Sequence, residues 1–121
     1  MKFKDLFVLP LVFLFSVTAN AALNNPSMNF AANYQSSEPS RVYLAGSLGG
    51  LETANAQLRA DERLSLYCVP TTLRLNAENA VSIFEDELAI RLAGGIVDWE
   101  LWPKVPLEQV LLWGLKRTFP C

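Results

Sequence analysis

Two cysteines set the tightest constraint on this chain: Cys68 in "LSLYCVPTTL" and Cys121 in "KRTFPC". There are no others, and the 121 residues contain no histidine. A cysteine pair means one cross-link in an oxidising compartment and two free thiols in a reducing one. The compartment therefore decides what the chain can fold into, and the first residues bear on the compartment.

The chain opens "MKFKDLFVLPLVFLFSVTANAALNN". Lys2 and Lys4 supply a basic start. Leu6 to Val17 is almost wholly apolar, and Ala19-Asn20-Ala21 places small residues where a signal peptidase reads. This is the layout of a secretory signal peptide, with cleavage expected after Ala21 and export to an oxidising compartment. The apolar run is too short to cross roughly 30 Å of hydrocarbon as a helix, which takes about 20 residues. No second such run follows and no Cys stands at the cleavage site, so no stable membrane anchor is expected. Removal of residues 1–21 takes Lys2, Lys4 and Asp5 with it. It leaves 100 residues with 8 basic and 11 acidic groups, a formal charge of −3. That is enough chain for one modest domain with one core. Its mild acidity argues against nucleic acid, whose phosphates want clustered Lys and Arg.

In an oxidising compartment Cys68 and Cys121 are expected to form a disulfide. On the chain-entropy account, closing that loop is worth roughly 4 kcal/mol. This is large beside the total of about 5–10 kcal/mol expected of a domain this size. A redox or nucleophilic thiol is the weaker alternative. There is no Cys-x-x-Cys, and no histidine to draw off a thiol proton.

Residues 22–37, "ALNNPSMNFAANYQSS", read as a polar leader with a short helical turn around Met28–Tyr34. Residues 38–121 read as a helical domain. Ser36 or Ser37 can cap a first helix, with Pro39 in its first turn. Val42, Ala45, Leu48 or Gly49, and Ala56 recur at helical spacing. Gly46, Gly49 and Gly50 each cost about 1 kcal/mol inside a helix. They imply either the close approach of another helix or a break at Gly49-Gly50. Pro70 stops helix growth. Asn76 then caps a second helix whose face runs Ala80, Phe84, Leu88 and Arg91 or Leu92, ended by Gly94-Gly95. Glu85, Asp86 and Glu87 on that helix read as a solvated face, because adjacent helical residues point in different directions. A Pro106-led last helix buries Leu107, Val110, Leu111 and Leu115. No strand alternation and no repeat occurs. The expected fold is all-α, a small bundle of three to four helices clipped by one disulfide.

The chemistry is sparse. Without histidine the usual triads, common zinc sites and neutral-pH general bases are missing. No serine sits in a nucleophile elbow, no acids have EF-hand spacing, and "GSLGG" lacks the Lys of a phosphate loop. No catalytic residue, metal or cofactor is assigned, and an enzyme is not expected.

The order of these features resembles a family. A signal peptide precedes a Gly-containing helix, "VYLAGSLGG". Cys68-Val69-Pro70 and a second amphipathic helix follow, and then "PLEQVLLWGLKRTFPC". From Pro39 to Cys121 this is similar to the Rap/Tai immunity proteins of type VI secretion systems. The resemblance implies a small helical periplasmic protein that binds a secreted peptidoglycan amidase effector and blocks its active site. The chain departs from that pattern at Gly94-Gly95 and in the Trp-rich "IVDWELWPK".

For a protein inhibitor, Trp, Tyr and Arg are the usual anchors. Trp99 and Trp102 sit in the connector beside Asp98 and Glu100, and these four are the candidate partner-binding residues. The acids would meet a basic rim. Equally, both tryptophans could cap the core between the last two helices. A homodimer through the glycine-bearing face or Leu112 is a further expectation. The alternative function is a small periplasmic helical chaperone or stress protein with one disulfide, which would expose apolar surface, for instance on acidification. A structural envelope component is a third possibility.

Overall fold

The computed structural model describes residues 29–121. The segment 1–21, expected from the sequence to be a signal peptide, and the first part of the leader lie outside the described residues. Within them the chain forms three α-helices and no strands: α1 (Glu38–Ala60), α2 (Ala77–Ala93) and α3 (Leu107–Thr118). Short 3₁₀ turns occupy Ala31–Asn33 and Trp102–Lys104. All three helices touch one another.

Ser37 caps α1 by accepting from the Ser40 backbone N–H, and Pro39 stands in the first turn where a missing N–H costs nothing. The helix runs unbroken through Gly46, Gly49 and Gly50. Its buried line is Ser40, Leu44, Leu48 and Asn55; of the positions expected from spacing, Leu48 lies on it, while Val42, at 62%, and Ala56 are exposed. Two of the four inward positions are polar, which hid the true face from a reading of apolar spacing. Asn55 is satisfied where it lies. Its amide donates to the Tyr67 carbonyl at 2.8 Å and its oxygen accepts from Leu66 N at 2.7 Å, fastening the following loop to the helix.

The glycines of α1 do not admit a neighbouring helix. A methyl group added at Gly46, Gly49 or Gly50 would meet nothing within 4 Å. Close approach occurs instead at Gly114 of α3. A Cβ there would lie 2.7 Å from Ile83 Cγ2, 2.9 Å from Ile83 O and 3.2 Å from Glu87 Cβ. Helices α2 and α3 therefore meet nearly backbone to backbone at this one point.

Asn76 and Asn79 cap α2 reciprocally, each side chain accepting from the other's backbone N–H. Gly94 ends it, and Gly95 takes φ +65°, a left-handed turn that suits glycine. Helix α3 buries Leu107, Val110, Leu111 and Leu115 as its spacing predicts, with Gly114 between them. The core joins these to Leu44, Leu48, Tyr67, Phe84 and Trp102.

Cys68 and Cys121 are bonded, with Cα atoms 4.9 Å apart. Cys68 N also donates to the Phe119 carbonyl at 2.8 Å. The end of the chain is thus held to the middle by a covalent bond and a hydrogen bond. At the other end, residues 29–37 pack onto the bundle. Ala31 N donates to Val105 O at 2.8 Å, Phe30 bridges to Pro106, and Tyr34 meets Phe84 edge-on with ring centroids 4.6 Å apart.

A candidate docking surface on the connector

Residues 94–106 join α2 to α3, and their backbone is tied down along its length. Ile96 N donates back to Arg91 O at 3.2 Å. The Asp98 carbonyl accepts from Leu101 N at 3.1 Å and Trp102 N at 2.8 Å, and the Asp98 carboxylate accepts from Glu100 N at 3.0 Å. Pro103 then sets the 3₁₀ turn, and Lys104 N returns to Leu101 O at 2.8 Å. Together with the bond from Ala31, these contacts make the connector a fixed projection rather than a free loop.

On this frame the two tryptophans part. Trp102 is 7% exposed and belongs to the core, whereas Trp99 is 66% exposed. Ile96 and Leu101 are each more than half exposed, and Leu92 at the end of α2 is also exposed. Four large apolar residues within ten positions therefore face outward, flanked by exposed Asp98 and Glu100. The sequence candidates Asp98, Trp99 and Glu100 share this surface. Trp102 instead forms part of the wall of a groove of about 540 Å³ beneath it, lined also by Ile96, Leu101, Val105, Trp113 and Arg91.

Helix α2 supplies the charge under the groove. Glu87, assigned from the sequence to a solvated acidic face, is 1% exposed. Of its two neighbours, Asp86 is exposed, and exposed Glu85 accepts from the Tyr34 hydroxyl at 3.1 Å. Glu87 faces α3 because it follows Ala80 and Phe84 at spacings of four and three on the buried side. Its Oε1 accepts from Arg91 Nε at 2.8 Å and its Oε2 from Arg117 Nε at 2.6 Å. Hydrogen bonds from Arg117, against the opposing effect of burial, hold the Glu87 carboxyl below the usual carboxylate range, with Arg91 adding to the effect. Arg91 in turn lies over the Trp113 ring, 3.7 Å from its centroid. The i, i+4 spacing of Glu87 and Arg91 was the available sequence signal for this cluster. Arg117, in the last turn of α3, pairs with Glu87 across the helix interface.

Elsewhere, burial followed by a hydrogen bond to the Glu108 carboxylate at 2.6 Å pushes the Tyr43 hydroxyl up to about 12. Leu112 is half-buried against the core, while the glycine face of α1 lies open. Among the described residues no three His, Cys, Asp or Glu side chains gather as a metal site, and no helix is long and apolar enough to cross a membrane. What the connector arrangement can do chemically is bind: it offers rigid aromatic and aliphatic surface, an acidic fringe and a partly covered guanidinium. No protein family, characterised protein or solved structure matches the chain.

Proposed function

We propose that this chain is an exported immunity protein, a stoichiometric inhibitor that binds a type VI secreted peptidoglycan amidase in the periplasm and covers its active site. The observation that carries the reading is Trp99, a large aromatic side chain held two-thirds exposed on a hydrogen-bonded connector. Trp99 does not stand alone: Leu92, Ile96 and Leu101 are exposed beside it, and a cluster of exposed apolar side chains marks an interaction site where a single one would not. Trp is the residue type most often dominant at protein interfaces. A projecting, pre-ordered segment fits a catalytic cleft at low ordering cost. The order of the glycine-bearing helix, Cys68-Val69-Pro70 and the Phe119-Pro120-Cys121 ending supports the narrower assignment to amidase immunity. Asp98 and Glu100 favour a partner with a basic rim.

The test is to capture partners of the oxidised protein from the organism that makes it, and to assay the captured protein on purified peptidoglycan. A single partner that cleaves peptidoglycan and is silenced by one equivalent of this chain supports the reading. Many weak partners that appear only in acid would replace it with a chaperone role.

A further inference from the structure

The charges beneath the connector do not balance. One carboxylate, Glu87, serves two guanidiniums, Arg91 and Arg117. Arg117 has a half-exposed side chain and is solvated, but the Arg91 side chain is only 16% exposed. Its Nε is occupied by Glu87, its plane is fixed over Trp113, and among the described residues its two Nη atoms donate to no acceptor. Arg91 also lines the groove, as does Lys104. The acid lining that groove, Asp98, makes no ion pair among the described residues, and its carboxylate takes up the Glu100 N–H of its own turn. A mostly covered guanidinium whose Nη donors open to solvent in the groove rather than to a protein acceptor, beside a wall of Ile96, Leu101, Trp102 and Trp113, suits an anion carried on an apolar stem.

We infer that the groove is a carboxylate pocket for a partner protein, taking an apolar side chain and an adjacent Asp or Glu, with Arg91 pairing the carboxylate. Glu87 is the positioning residue: it holds the guanidinium edge so that the Nη side is presented. This rests on the docking reading above and specifies its chemistry. The connector would then recognise its partner with both signs, Asp98 and Glu100 outside and Arg91 within. Such pairing rejects wrong partners more than it adds raw affinity.

The pocket can be tested without the amidase. The ¹⁵N-labelled, oxidised protein is titrated with N-acetyl-Leu-Glu-amide and, separately, N-acetyl-Leu-Gln-amide. The Arg91 Nε–H and the Trp102 and Trp113 indole N–H resonances are followed. The Glu peptide is expected to shift them with an affinity at least about tenfold above that of the Gln peptide. In Arg91→Gln, which leaves Glu87 paired with Arg117 and so keeps the fold, the two peptides should bind alike. Equal binding of both peptides to the parent protein, or binding of neither, overturns the proposal. So does decanoate binding that depends on Arg91 where the Glu peptide fails, since the occupant is then a free amphiphile. Shifts of the same resonances with protein concentration alone would assign the groove to a second copy and overturn it as well. If the peptides discriminate but Trp99→Ala leaves amidase binding intact, the docking reading fails while the pocket stands.

Discussion

Glu87 shows how one residue can link fold and surface. Its carboxylate ties α2 to α3 through Arg117 and orients Arg91 under the connector. Because its pKa is depressed in the folded protein, its stabilising contribution is present above the ordinary value of 4.5 and is lost as pH falls toward the folded value. Thermal unfolding from neutral pH down to about pH 3 should therefore show a steeper loss of Tm below about pH 5 in the parent than in Glu87→Gln. At neutral pH the same substitution should cost about 2 kcal/mol, since it leaves charged donors with a weaker acceptor. An unchanged slope would mean that Glu87 titrates alike in the folded and unfolded chain. This role was only half legible in the sequence. Glu87 stood inside a run of three acids, and such a run usually faces water. The i, i+4 pairing with Arg91 was visible, but a helix in isolation does not say which side meets its neighbour.

Helix ends were more legible than helix faces. Ser37, Asn76 and Gly94-Gly95 mark boundaries because capping chemistry is local: a side-chain oxygen or a left-handed turn acts within one turn of the chain. Faces depend on partners. The buried side of α1 includes Ser40 and Asn55, whose burial is stabilised by contacts that apolar spacing cannot reveal. The glycines show the same limit. Three in α1 suggested close packing and stand open, while Gly114, in a stripe otherwise read correctly, makes the contact. These elements give opposite expectations for one change. Gly50→Ala should stabilise by up to about 1 kcal/mol, because alanine favours the helix and meets nothing. Gly114→Ala should destabilise by about 2 kcal/mol, because its Cβ enters the Ile83 backbone and the helices must part. Chemical denaturation of the two variants under oxidising conditions measures both signs.

For the whole molecule, the disulfide and the segment 29–37 hold opposite features of a small bundle. One binds the end of the chain to the loop after α1, and the other straps the connector. Cys68 and Cys121 lie 53 residues apart, so their joint replacement by serine should cost roughly 4 kcal/mol on the chain-entropy account, measured as a fall in denaturation midpoint. The pairing was readable from the cysteine number together with the expectation of an oxidising compartment. The separate fates of the two tryptophans were not, since Trp99 and Trp102 share one short connector and differ only in which way its turn presents them. The account depends most on that difference. The direct measurement is the affinity of Trp99→Ala for the partner that the proposed capture identifies, beside its melting temperature. The expected result is a loss of more than about 2 kcal/mol in binding, some thirtyfold, with Tm unchanged. Unchanged affinity with a lowered Tm would contradict it, and would place Trp99 among the residues that hold the bundle together.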